Sequence, residues 1–300
     1  MTGRGSTLVG AHTVADFGTD LLHTTVRSIP GGYEWRRAPG TAAPAPFRRP
    51  SDELLDLLVQ PGDEALARWA PAAADGPARI YRVHGRESVA NRLLTSGPQP
   101  ELADPLRGFG ALLRGLHDAG PVHTAALAPQ PPRGLDRLNT WLGGRAPVAR
   151  AAWVAAELRA RLGEDRWSKI LGWTEQLNED TAVTLVHGAP GLGSLVTNTA
   201  GRPAELLVGE DLAVAPWYFD LGWAVGEIVE LRWQLGGEQE NWQLLLEALF
   251  EGYGRELGTH WAATAAIRIL LHVHDIAAYV GWHTMGFEHY AGFLIFLIDL

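Results

Sequence analysis

Thr184-Leu-Val-His-Gly-Ala-Pro-Gly-Leu-Gly-Ser194, then Glu205-Leu-Leu-Val-Gly-Glu-Asp211, then Pro216-Trp-Tyr-Phe-Asp-Leu-Gly-Trp223 carry the organisation of this chain. Thr184–His187 and Glu205–Val208 are short apolar runs that read as buried strands, and between them lies a glycine-rich loop too irregular to continue either one. After Pro216 the apolar positions change to helical spacing, which predicts a helix over Leu221–Trp233 with Asp220 as a candidate N-cap. Strand, loop, strand, helix is an arrangement that gathers loop residues at one end of a small sheet.

Outward from this centre, the C-terminal two thirds reads as helical. Leu102, Leu106, Phe109, Leu112, Leu113 and Leu116 fall on one face at 3.6-residue spacing, closed by His117 to Gly120. Further helices are predicted over 135–142, 151–177 with a break near Gly163, 242–257 and 261–282. The apolar tail Phe293–Leu300 falls short of the roughly 20 residues needed to cross a bilayer, so a buried helix or a partner contact is expected there. Toward the N-terminus, residues 1–50 are rich in Gly, Pro and Thr, with Pro30-Gly-Gly32 and Pro39 to Pro50 as breakers, and are expected to be loops with at most short strands. Leu54, Leu55, Leu57 and Leu58 suggest a short helix capped by Ser51. Ala78–His84 alternates in period two as a strand does, a helix is expected over Arg86–Leu94, and Ser96–Pro100 reads as a linker.

Composition narrows the function. The chain has 300 residues, a formal charge of -9 and 46% hydrophobic residues, enough for one large core or two modest ones. An acidic surface repels phosphate backbones, which argues against nucleic acid as a partner. There is no cysteine, which excludes thiolate metal sites and thiol nucleophiles. Lys169 is the sole lysine, so any step needing a lysine has one candidate. Met1 to Asp20 lacks the basic start and apolar run of a secretory signal, and a cytoplasmic location without a membrane span is expected.

The loop, the strand after it and the Asp-Leu-Gly helix start resemble, in order and spacing, the aminoglycoside phosphotransferase and choline kinase group. Leu106-Arg-Gly-Phe-Gly-Ala-Leu-Leu-Arg-Gly-Leu-His117 is similar to the leucine-rich helix that precedes the loop in that group, and Leu249-Phe-Glu-Gly-Tyr253 to a later helical signature. The resemblance covers about residues 100 to 260. It implies an α+β, protein-kinase-like fold of two lobes: a reduced, atypical N-terminal lobe over 1–98 and a helical C-terminal lobe over 99–300. It also implies ATP and magnesium as cofactors if the protein is active.

Three positions depart from the group. Ala189 stands at the catalytic Asp, Ser194 at the metal-binding Asn, and Val208 or Gly209 at the metal-binding Asp. Alanine accepts no proton. Ser194 remains a hard-oxygen ligand, and Glu210 and Asp211 read either as metal ligands displaced by a few residues or as a solvated turn. His187 and Asp211 are the candidates for catalysis, although His187, like Asp220, has an architectural role in the resemblance. No lysine is available in the small lobe to grip phosphates. Arg79 or Arg82 on the predicted strand, with Glu87 on the helix after it, are the candidate substitutes, beside the reading as surface charges.

Two further clusters have structural and ligand readings. His272, His274 and His283 with Asp275 read as a metal cluster or as core polar groups, His272 and Asp275 sharing a helical face. Trp217, Trp223 and Trp233 read as core or as a stacking surface. Two functions follow. One is phosphorylation, or binding, of a hydroxyl substrate, small molecule or peptide, as in kinase-like proteins that act with a separate lyase-type partner in the biosynthesis of thioamitides and class V lanthipeptides. The other is a pseudokinase that binds a peptide or partner. The acidic balance leaves a cationic substrate open.

Overall fold

The computed structural model describes residues 12–44, 46–47, 50–119, 131–198, 201–281 and 284–300. The N-terminal region is the largest departure from expectation. Strands β1 (His12–Gly18), β2 (Leu22–Ile29) and β3 (Gly32–Pro39) form an antiparallel meander where loops with at most short strands were expected. The Pro30-Gly31 pair that seemed to break regular structure is the two-residue turn between β2 and β3, with Ile29 opposite Gly32. Its breaking is local: the flanking residues, Thr24, Thr25 and Val26 against Trp35, Arg36 and Arg37, are β-branched, aromatic or long-chained and suit a pleated surface.

Strands β5 (Ala73–Asp75) and β6 (Ala78–Val83) complete this sheet in the order β1-β2-β3-β6-β5. A second sheet joins β4 (Ala67–Pro71), β10 (Ala204–Val208), β9 (Leu195–Thr197) and β7 (Glu87–Ser88), in that order, with β4 parallel to β10. This sheet therefore takes strands from both sides of residue 98. Trp35, Tyr81, Val83 and Val26 of the first sheet share an apolar cluster with Val196 and Leu207 of the second, which fixes the face toward which β3 and β6 point alternate side chains. A two-stranded pair, β8 (Val183–Val186) and β11 (Ala213–Pro216), brackets the glycine-rich loop.

The helices follow the predicted periodicities closely. α1 (Asp52–Asp56) is capped by Ser51, whose hydroxyl accepts from the Leu54 N–H. α2 (Val89–Ser96) starts three residues later than expected because Ser88, not Arg86, caps it. The remainder comprises α3 (Ala103–Ala119), α4 (Arg133–Leu142), α5 (Ala149–Leu162), α6 (Glu164–Glu179), α7 (Tyr218–Leu235), α8 (Gln239–Tyr253), α9 (Trp261–Tyr279) and α10 (Thr284–Asp299). Gly163 separates α5 from α6, as its position in the pattern suggested. The apolar tail is a docked helix: Leu294, Leu297 and Ile298 of α10 are buried, and Lys169 donates to the Ile298 carbonyl at 3.0 Å. Among the described residues no helix is long and apolar enough to cross a membrane.

One helix crossing explains two pieces of the sequence signature. α3 and α8 meet so closely that a methyl group added at Gly110 would run into the Leu249 carbonyl, and one at Gly252 into the Arg107 carbonyl. Small residues on both helices are therefore a packing requirement. Gly252→Ala is expected to lower the free energy of unfolding by about 1–3 kcal/mol, the usual cost of overpacking a dense core. Urea denaturation with an unchanged m-value would measure it.

Candidate functional site

The loop after β8 is held by a buried carboxylate. Asp220, with no exposed surface, accepts from the backbone N–H of His187 at 2.6 Å and of Gly188 at 3.0 Å. It also receives Nε2–H of His117 from α3 at 3.1 Å, while His117 Nδ1 accepts from the Tyr253 hydroxyl of α8 at 2.8 Å. Asp220 is not the N-cap: α7 starts at Tyr218 after Trp217, which places Asp220 in the first turn, facing the loop. Gly188 needs a left-handed φ of +85° there, and a side chain would strike the Asp211 carbonyl.

His187 is buried with both ring nitrogens engaged. Nε2–H donates to the Leu207 carbonyl at 2.8 Å, and Nδ1 accepts from the Ala189 N–H at 3.4 Å. Burial lowers its pKa despite the Asp220 charge nearby. An imidazole with neither nitrogen free is poorly placed to take a proton from an acceptor.

On the far side of the loop, Ser194 and Glu210 converge on a residue that the sequence reading passed over. Arg37, on β3, donates Nη1 to Ser194 Oγ at 3.1 Å and to Glu210 Oε1 at 2.9 Å, and Nη2 to the Gly193 carbonyl at 3.0 Å. Glu210 is buried, so the residues after β10 are not a solvated turn. Its pKa is raised by burial and by neighbouring Asp211, against the lowering effect of Arg37. Its second oxygen, Oε2, is buried and lacks a hydrogen-bond partner.

Arg79 lies directly across from Arg37 in the β3–β6 register, so both point from the same face of the sheet. Its guanidinium donates to the Ala78 and Phe47 carbonyls and is close enough to Glu210 to favour its charge. Arg82 has the opposite parity, is exposed, and sits across from Glu34. Glu87 belongs to β7, not to a helix, and its ion pair at 3.3 Å is with Arg86. The pairing of Arg79 or Arg82 with Glu87 is therefore not formed; Arg37 and Arg79 are both buried cations on strands, and Arg37 is the one that bonds Ser194 and Glu210. The signal for Arg37 was the alternation Tyr33, Trp35, Arg37, hidden because residues 1–50 were read as loop.

Asp211 turns the other way from Glu210. Its Oδ1 accepts from Arg133 at the start of α4 at 3.2 Å, beside a cleft of about 600 Å³ between α4, α9 and the chain around Phe47. Glu227 is a second residue missed by the sequence reading. Seven residues after Asp220, hence two helical turns along the same face of α7, it accepts from the Leu192 N–H at 2.9 Å. Asp220 and Glu227 thus grip the loop on either side of Ala189. Burial raises the pKa of Glu227.

The histidine cluster divides instead of converging. His272 bonds Glu230, whereas His274 bonds Asp275 at 2.8 Å and Asp275 holds Arg137 through both oxygens. His272 and Asp275 accordingly serve different neighbours, and His283 lies outside the described residues. No group of three or more His, Cys, Asp or Glu side chains among the described residues is arranged to hold a metal. The tryptophans stack internally, Trp217 on Tyr253 and Trp233 on Phe293.

These burial states predict a pH response. Below the ordinary imidazole value of about 6.5 the unfolded chain binds a proton that native His187 does not, so stability falls with pH from there down to the lowered native value. His187→Asn is expected to flatten this part of the curve, measured by chemical denaturation between pH 7 and pH 5.

No protein-family model and no curated protein sequence matches the chain. Solved structures do. Amicoumacin kinase hAmiN, in complex with AMP-PNP, Ca2+ and its ligand, aligns with a TM-score of 0.55 at 12% identity, over 96% of this chain and 87% of that one. An ethanolamine kinase from Plasmodium vivax aligns at 0.54 and 9% identity over 98% and 84%. Aminoglycoside phosphotransferase APH(4)-Ia, in ternary complex with ADP and hygromycin B, gives 0.54 and 12% over 97% and 92%. Together with the clamped loop, these likenesses establish that the chain has the protein-kinase-like fold that the aminoglycoside phosphotransferases and the ethanolamine kinase share.

Proposed function

We propose that this protein is an ATP-dependent phosphotransferase that acts on a hydroxyl group, with residues 1–98 gripping the nucleotide and residues 99–300 presenting the acceptor. The observation that carries this reading is the convergence of Arg37, Ser194 and Glu210. Phosphoryl transfer in this fold needs a strand-borne cation at the phosphates and hard oxygen ligands for magnesium beside it. Arg37 is a strand-borne cation, and a guanidinium matches phosphate oxygens well.

The residues around Arg37 fit magnesium. Glu210 Oε2 is a buried carboxylate oxygen without a partner, and Ser194 Oγ lies on the same arginine. Both are the hard oxygen donors that magnesium prefers. When bound, the ion would neutralise phosphate charge. Glu210 and Ser194 would hold it, with Arg37 released to the nucleotide. Asp211, bonded to Arg133 beside the cleft, is the carboxylate that would orient an acceptor hydroxyl. Ala189 removes the usual base, but a loose transition state depends mainly on positioning and charge.

The solved neighbours are named as small-molecule kinases, which supports a hydroxyl acceptor. On the sequence resemblance, the biological setting proposed is a natural-product or modified-peptide pathway in which a lyase-type partner consumes the phosphorylated group.

A second reading has its own observation. With Ala189 in the loop and Arg37 already bound to Glu210 and Ser194, the same site suits a pseudokinase that holds a ligand without transfer. Thermal shift with ATP, with and without magnesium, and mass detection of phosphate on the acceptor separate the two. A magnesium-dependent rise in melting temperature accompanied by transfer is expected, whereas a rise without transfer favours the second reading. Arg37→Lys keeps the charge and is expected to fold but to weaken ATP binding by about tenfold, through loss of the forked donor. Arg37→Ala leaves Glu210 buried without its cation and is expected to cost about 3–5 kcal/mol of stability.

A further inference from the structure

A cavity of about 750 Å³ lies on the side of α7 turned away from the clamped loop. At about 100° per residue, Val225, Val229 and Arg232 fall roughly opposite Asp220 and Glu227, the two carboxylates of α7 that hold the loop, and they line this cavity. α8 contributes Phe250, the start of α9 Trp261, and α10 Phe296, so the space is enclosed by four helices. Its volume lies in the range of sites that enclose a small molecule.

Ten of the thirteen lining residues are apolar and five of those are aromatic, a wall that gains by taking apolar surface out of water. That wall is supported from behind. Trp233 lies flat on Phe293 with ring centroids 4.6 Å apart and edge-on to Tyr290 at 5.0 Å, which keeps the rings from folding into the space. Phe296 stands at the mouth, 58% exposed.

Two lining residues are ionisable, and their signs cancel. Arg232 is half-buried in the last turn of α7, Glu256 is exposed just beyond α8, and neither side chain forms an ion pair or hydrogen bond among the described residues. An anionic head drawn to Arg232 meets Glu256, a cationic head drawn to Glu256 meets Arg232, and either ion gives up hydration on entry. An uncharged hydroxyl avoids that cost, and it can accept from a guanidinium and donate to a carboxylate. We propose that this cavity is a binding site for an uncharged amphiphile, an apolar carbon chain that ends in a hydroxyl group. The site is separate from that of the nucleotide, and the inference does not depend on whether the protein transfers phosphate.

Calorimetric titration of the full chain tests it with decanol, decanoate and decylamine, which share a chain and differ in the charge of the head, each kept below the concentration at which it aggregates. Decanol is expected to bind saturably at one site with a negative heat-capacity change, the mark of apolar burial, and at least about tenfold more tightly than either ion. Phe296→Asp alters an exposed residue and should leave the melting temperature in place while weakening decanol by about tenfold. Arg232→Gln removes the cancellation of charge and is expected to raise decylamine above decanoate by about tenfold. Binding of either ion to the unaltered chain as tightly as decanol overturns the inference, as do the absence of saturable decanol binding, an unchanged affinity in Phe296→Asp, and an unchanged ranking of the ions in Arg232→Gln. A dimer in sedimentation that Phe296→Asp splits also overturns it, because the occupant would then be a second copy of the chain.

Discussion

A carboxylate with no contact with solvent is tolerable only if its lone pairs are filled, and Asp220 fills them from the loop and from α3 together. The His187 and Gly188 N–H groups and the His117 ring all point at it, and Tyr253 fixes the far side of that ring. Removing any one donor would leave charge in a medium of low dielectric, where repayment by water is unavailable. The helices α3, α7 and α8 and the loop after β8 are thereby locked into one arrangement. The close glycine crossing of α3 and α8 belongs to the same constraint, because Tyr253 reaches His117 only if the two helices lie almost in contact.

The same logic governs the buried carboxylates further along α7. Glu227 ends on the Leu192 N–H with Arg268 3.9 Å away, and Glu230 on His272 and on the Tyr290 hydroxyl of α10. Burial would raise the pKa of Glu230, but these partners bring it below its ordinary value. The C-terminal helix is thus joined by hydrogen bonds to the helix that grips the loop. Arg37 and Glu210 belong to the same class of buried pair, with one difference: Glu210 keeps an oxygen unfilled. Arg37 Nε in the same pair is likewise buried without a hydrogen-bond partner, so two unsatisfied groups at one place mark where a ligand would do most for the site.

Much of the fold was legible in the chain. The leucine ladder from Leu102 to Leu116, the break at Gly163, the Ser51 cap and the two strands around the glycine-rich loop all follow from local pattern, because helices and strands bury one face at fixed periods. The N-terminal sheet was obscured by its own turn. Pro30, Gly31 and Gly32 are strong breakers, and the threonines and arginines around them lack the plain apolar alternation of a half-buried strand. The reason lies in the site, since Arg37 and Arg79 occupy inward positions that a core strand would give to apolar residues.

The loop sequence from His187 to Ser194 and the acidic pair after Val208 determined by themselves where buried hydrogen-bond partners would gather, because a backbone that irregular needs buried donors and acceptors to hold it. Which residues answer those groups was decided only by tertiary structure. Arg37 and Ser194 are 157 positions apart, Arg133 and Asp211 78, and no local period links such partners. Charge pairing in a protein interior is set by the distances that folding creates, and sequence records the charges without the distances.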